Sequence, residues 1–126
     1  MRLSSVELIS VVIPTFQEAA RLADLLRLIE QQNVMHEVIV VDGGSTDGTF
    51  EMARASVSQA ISAPRGRGAQ LKAGAEIARG DIILFLHADS NLEPGAFVQI
   101  SQSLTENPTA VGGNFRLLFD GETSFS

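Results

Sequence analysis

Short unbroken apolar runs alternate along this chain with stretches in which apolar residues recur every three or four positions. Residues 8–13 (LISVVI) are apolar at all but one position, the mark of a strand buried on both faces, and Pro14 closes the run. Thr15 and Glu18 stand three apart, the spacing of a capping box, in which each side chain satisfies a free backbone N–H of the other. Leu22, Leu25, Leu26 and Ile29 follow at i, i+3, i+4 and i+7 and predict an amphipathic helix over residues 18–32.

The cycle then repeats. Residues 37–41 (EVIVV) read as a second strand, followed by a turn over 42–48 (DGGSTDG) and a short helix through Met52. A brief third strand is expected over 58–62. The segment 65–68 (RGRG) opens a helix containing Leu71, Ala75 and Ala78, with Gly80 placed as its left-handed terminator. Residues 81–86 (DIILFL) form the next strand. Pro94 suits the first turn of a helix whose Phe97, Ile100 and Leu104 share a face, Asn107 and Pro108 close it, and residues 110–119 read as a last strand. There is no internal repeat.

Solid strands alternating with helices predict one α/β domain over 1–126, with a mostly parallel sheet covered by helices on both faces. In such sheets ligands bind at the carboxyl ends of the strands, near the point where strand order reverses. Pro14 and Thr15, the Asp42-Gly43-Gly44 turn, and His87-Ala88-Asp89 all fall at strand ends.

Each of these has two readings. His87 and Asp89 are two apart, so on an extended strand both face one side, where a carboxylate can bind a hard divalent cation. The alternative is a polar strand end, with Asp89 or Ser90 capping the next segment. Asp42 precedes two glycines that allow close backbone approach, which would leave its carboxylate exposed at the rim to accept bonds from a ribose or a base; the alternative is a tight turn with Asp47 capping the next helix. The stretch 65–72 (RGRGAQLK) fails two phosphate motifs: Leu71 stands where each requires a glycine, and Ala73 where the P-loop requires Ser or Thr. What remains is either an anion cradle of two guanidiniums at a helix start or a solvated charged loop. His36 reads as a surface residue, and neither histidine completes a nucleophilic triad.

Composition narrows the field. Nine basic against fifteen acidic residues give a net charge of −6, which argues against a nucleic-acid partner. The absence of cysteine excludes disulfides and thiolate metal sites. No apolar run approaches the roughly 18–20 residues that span a bilayer, and residues 1–13 make a poor signal peptide, so the expectation is a cytoplasmic domain that can attach peripherally to a membrane through other sequence.

Taken together, the stretches VVIPTFQEAARLADLL, EVIVVDGGSTDGT, GRGAQLKAGAEIARGDIILFLHADS and EPGAF resemble the nucleotide-sugar half of a family 2 glycosyltransferase with the Rossmann-like GT-A fold. The HAD triplet with the tail GGNFRLLFDG also resembles a bacterial subgroup found beside radical-SAM and selenium-related genes. The resemblance implies a donor-binding domain for a UDP- or GDP-linked sugar, transferred with inversion to an unidentified acceptor. By the same resemblance Pro14, Thr15 and Glu18 border the nucleoside pocket, and Asp42, with Gly44 beside it, reads the base or ribose. Arg67 lies near the phosphates, and His87, Ala88 and Asp89 occupy the Asp-X-Asp position. There Asp89, with His87, would hold Mg2+ or Mn2+ against the diphosphate.

Two departures from the family pattern stand out: His87 replaces the usual first aspartate, and the sequence ends at Ser126. The second implies a truncated enzyme whose acceptor site and catalytic carboxylate base are missing. Such a fragment is expected to be inactive in transfer and to form a homo-oligomer through apolar residues of the last strand. The alternatives are a nucleotidyltransferase, which would want a glycine-rich basic loop after the first strand, and a non-catalytic nucleotide-binding or assembly module.

Overall fold

The computed structural model describes residues 8–106 and 116–119, with side chains through residue 102. Five strands and four helices alternate: β1 (Ile9–Thr15), α1 (Ala19–Glu30), β2 (His36–Asp42), α2 (Thr49–Ser56), β3 (Gln59–Ser62), α3 (Arg67–Ile77), β4 (Ile82–Phe85), α4 (Ala96–Glu106) and β5 (Arg116–Phe119). Every pairing is parallel and the strand order is β3-β2-β1-β4-β5. The chain therefore builds outward from β1 in one direction and then in the other, and the reversal lies between β1 and β4.

The period-two pattern of the strands sorts their side chains onto two faces. Ile9, Val11 and Ile13 of β1, with Val38, Val40, Ile82 and Leu84, pack against Leu22, Leu25 and Ile29 of α1, Ala53 of α2 and Phe97 of α4. Val12, Ile39, Val41, Ile83 and Phe85 form the other face, covered by α3 through Leu71, Ala75 and Ile77. Burying each large aliphatic side chain contributes about 1.5–3 kcal/mol. The α3 layer is thin because Gly74 sits directly on the sheet. A Cβ there would run into Val12 Cγ1 and stand 3.1 Å from Val41 Cγ2.

Several local expectations change. Pro14 lies inside β1, opposite Val41, and the strand runs on to Thr15. Even-numbered residues of β1 turn their backbone groups toward β4, as Leu86 N donating to Val12 O shows, and odd ones toward β2, as Gly43 N donating to Thr15 O shows. The N–H that Pro14 lacks would point to the β4 side, where the ladder has already ended at Val12 and Phe85. The capping box does not form. Thr15 spends its hydroxyl on Asp42, Glu18 Oε1 accepts from Phe16 N at 3.0 Å, and no side chain of its own segment caps α1.

Gly80 is not a left-handed terminator. Helix α3 ends at Ile77 with an extended Ala78, and Gly80 is required instead by proximity, since a Cβ would lie 2.6 Å from Ser10 Oγ. Its N–H donates to that hydroxyl, which in turn donates to the buried Glu37. Helix α2 runs past Met52 to Ser56. His36 is half-buried: it opens β2, and its ring meets Phe97 edge-on at 5.5 Å. Of the expected last strand only Arg116–Phe119 falls among the described residues, and the exposure expected of its apolar side chains lies outside them. No helix among the described residues is long and apolar enough to cross a membrane.

Candidate functional site

Asp42 is the last residue of β2 and the register partner of Thr15, the last of β1. It is only 2% exposed, so the expectation of a carboxylate free at the rim is corrected. Both of its oxygens are fully engaged. Oδ1 accepts from Thr15 Oγ1 at 2.8 Å and Ser45 Oγ at 2.6 Å; Oδ2 accepts from Gly44 N at 3.0 Å and Ser45 N at 2.7 Å. Burial works to raise this carboxyl, but the bonds from Ser45, Thr15 and Gly44 outweigh it and hold the group below the usual carboxylate range. Gly44 takes φ +100°, which lets the turn fold its N–H back onto Asp42.

The turn so organised is laced to the loop after β1. Gln17, in the left-handed region at φ 56°, donates its N–H to Ser45 Oγ at 2.8 Å and accepts from Thr46 N through Oε1 at 2.6 Å. Glu18 N donates to Thr49 Oγ1 at 3.0 Å, and Ala19 N to Asp47 Oδ2 at 3.4 Å. Asp47 also caps α2 through Thr49 N, as its sequence position suggested, and the Thr49 hydroxyl is the chief cause holding its carboxyl below the usual range. The start of α1 is thus capped from the α2 side, by residues about 30 positions away.

Above these strand ends lies an open cleft of about 260 Å³ at the reversal between β1 and β4. Pro14, Thr15, Phe16 and Glu18 form one wall, and His87 closes the β4 side. The opposite wall is the start of α3, with Arg65, Gly66, Arg67 and Gln70. The Arg65 guanidinium carbon stands 4.0 Å from the centre of the Phe16 ring, and both arginines are exposed. An anion entering here meets two guanidiniums and the first turn of a helix. Sequence reasoning had assigned roles to neither Phe16 nor Gln70.

The His87-Ala88-Asp89 segment is not the end of an extended strand. β4 stops at Phe85, and the chain turns at Ala88 and Asp89, with Ser90 N donating to His87 O at 2.9 Å. His87 is half-buried and faces the cleft, Ala88 joins the core, and Asp89 is exposed and does not line the cleft. The structure therefore gathers Pro14, Thr15, Glu18, Arg67 and His87 around one cleft. Asp42 lies beneath it, and Gly44 and Asp89 lie outside its lining. Among the described residues no group of three or more His, Asp or Glu side chains could hold a metal. Just past β4, Asp89 offers an unburied carboxylate. One carboxylate suits a cation of the Mg2+ type, which fills its shell from substrate phosphates and water rather than from a protein cage.

Comparison with known proteins finds similarity to several named sugar transferases. The sequence profile described as Glycosyl transferase family 2 matches residues 10–126. The undecaprenyl-phosphate 4-deoxy-4-formamido-L-arabinose transferase of Aeromonas hydrophila is 31% identical over 124 residues, covering 89% of this chain and 38% of that enzyme. Its counterpart in Pseudomonas aeruginosa is 30% identical over 119 residues, covering 85% and 35%. Mannosyltransferase PcManGT from Pyrobaculum calidifontis, solved with GDP-Man and Mn2+, superposes with a TM-score of 0.65 at 25% identity, over 86% of this chain and 34% of that one. Mannosyl-3-phosphoglycerate synthase from Rubrobacter xylanophilus shares the fold, with a TM-score of 0.59 at 24% identity over 69% and 32%. The chain spans about a third of the length of these relatives.

Proposed function

The chain belongs to Glycosyl transferase family 2, and from that premise we propose that its 126 residues form one donor-binding unit whose cleft takes the nucleotide diphosphate of a UDP- or GDP-linked sugar. The observation that carries this is the cleft itself. It opens at the strand reversal, where α/β sheets bind nucleotides. It presents Arg65 and Arg67 across from the end of β1, with His87 on the third side. Two guanidiniums answer the charge of a diphosphate with planar, forked donors. Pro14, Thr15 and Glu18 would border the nucleoside. In this reading Asp42 acts mainly by fixing the turn around Gly44 and Ser45, because its four bonds leave it no free acceptor position.

In the whole protein the acceptor oxygen would attack the anomeric carbon from the face opposite the diphosphate, and the glycosyl–phosphate bond would break with inversion. The electron pair goes to the leaving diphosphate, whose growing charge the arginines stabilise. A Mg2+ or Mn2+ would be held by Asp89, with His87 the second proposed ligand, and would supply Lewis-acid stabilisation of the same leaving group. The acceptor site and the carboxylate base that receives the acceptor's proton are proposed to lie in sequence that the relatives have beyond the third matched here. Relatives named for undecaprenyl phosphate make a membrane-borne acceptor, reached by peripheral association, part of the proposal.

Self-association belongs to the same proposal. β5 ends the strand order, so one of its edges is unpaired among the described residues. Light scattering that gives a monomer at high concentration would remove this part. The donor reading is tested by titrating the protein with UDP and GDP, with and without Mn2+. Micromolar to millimolar binding of one of them, strengthened by the metal, is expected. No binding of either at millimolar concentration would overturn it.

A further inference from the structure

We infer that Gln70 is a positioning residue for this cleft: its carboxamide fixes the arginine-bearing loop of α3 to the ends of β1 and β2 and so holds Arg65 over Phe16. The inference rests on the nucleotide reading only for its effect on binding; the geometry stands without it. Gln70 is 4% exposed, and three of the four hydrogen-bonding positions of its carboxamide are filled, both donors among them. Nε2 donates to Thr15 O at 3.0 Å and to Val41 O at 2.8 Å, main-chain carbonyls at the carboxyl ends of two neighbouring strands. Oε1 accepts from Gly66 N at 3.0 Å, while Gln70 N donates to Gly66 O at 2.9 Å in the first turn of the helix.

Gly66 separates Arg65 from Arg67, and Phe16 follows Thr15. Gln70 therefore joins, from below, the same two segments that the Arg65–Phe16 stack joins above. Gly43 makes the space for it: a Cβ there would lie 3.1 Å from both Gln70 Oε1 and Arg65 Cα.

The chemistry selects glutamine. Two carbonyls and one N–H need two donors and one acceptor on a single side chain. Ionised glutamate keeps the acceptor but offers no donor, leucine offers neither, and asparagine falls one methylene short. Released from the strand ends, the 65–67 loop keeps its helix but loses its register against β1, and an exposed guanidinium then loses its seat on the ring.

The experiment compares the wild-type protein with Gln70→Glu and Gln70→Leu at neutral pH by NMR, and by UDP and GDP titration with Mn2+. An Arg65 Nε–H lying over an aromatic face carries an upfield ring-current shift, which a change in global stability alone would not move. The expected result is loss of that shift in both variants, with the methyl shifts of Val11, Ile13 and Leu25 unchanged. Affinity for the bound nucleotide should fall about tenfold. Retention of the Arg65 shift in both variants would overturn the inference. Collapse of the core methyl shifts in both would also overturn it, because Gln70 would then be holding the fold and not the wall. If the shift responds as expected while the wild-type protein binds neither nucleotide, the positioning role stands and the nucleotide reading falls.

Discussion

Thr15 donates its hydroxyl to Asp42 Oδ1 at 2.8 Å across the final register pair of β1 and β2. This bond sits where two central strands give way to loops, and the loops inherit their course from it. Removing it should be felt in stability before it is felt in chemistry. Asp42→Ala leaves Ser45, Thr15 and Gly44 without their acceptor and is expected to cost about 3 kcal/mol, read as a lower denaturant midpoint with unchanged slope.

The same carboxylate sets an acid limit. Its folded-state pKa is depressed by bonds from Ser45, Thr15 and Gly44, which outweigh the opposing effect of burial. The unfolded chain therefore takes up the proton first as pH falls. The stabilisation is fully present above the unfolded value of about 3.9 and is lost as pH drops through the lower folded value. Asp42→Asn should be less stable at neutral pH and should show a flatter decline in acid, measured by unfolding at a series of pH values. An unaltered acid slope in that variant would assign the dependence elsewhere.

Gly74→Ala tests the close seating of α3. Alanine is the better helix former by about 1 kcal/mol, so propensity alone predicts a gain. The new methyl would run into Val12 and crowd Val41. Overpacking of this kind costs about 1–3 kcal/mol, and a net loss of stability is expected. A more stable variant would show that the helix can lift freely from the sheet.

Gln17 combines a left-handed backbone with bonds to Ser45 and Thr46. Gln17→Ala keeps the backbone cost and loses the side-chain bonds, whereas Gln17→Gly loses the same bonds but relieves the backbone. The alanine variant should be the less stable of the two by about 1 kcal/mol. Equal stabilities would mean that the loop relaxes to another conformation.

For the metal, Asp89→Ala should abolish the Mn2+-dependent part of nucleotide binding, and His87→Ala should weaken binding less, because a carboxylate suits a hard cation better than an imidazole does. Calorimetric titration with and without Mn2+ separates the two. An Asp89 variant with full metal enhancement would remove that residue from the proposal.

The architecture was legible in the sequence because strands buried on both faces must be written as solid apolar runs. No helix-period pattern competes with LISVVI or VIVV. Details failed where a residue's partner is far away in the chain. Nothing local reveals that the Thr15 hydroxyl is taken by Asp42, 27 residues on, so the capping box looked complete. Pro14 read as a stop because its role depends on which neighbour its missing N–H would have faced. Gly80 read as a terminator because a glycine needed for close approach to Ser10 looks the same in sequence as one needed for its φ. Gln70 gave no signal, since two of its three partners are carbonyls of strands distant from α3 in the chain.

The central place of β1 also has a consequence in time. It is synthesised before either of its neighbours, and one edge can close as soon as β2 emerges. The other waits for β4, about forty residues later, which at translation rates of roughly 5–20 residues per second is a delay of several seconds. No hairpin can shorten the wait, because every pairing is parallel and needs a crossover. During it an apolar strand presents an open edge to other nascent chains. Pro14, whose missing donor lies on that waiting edge, denies a visiting strand one of the bonds it would need.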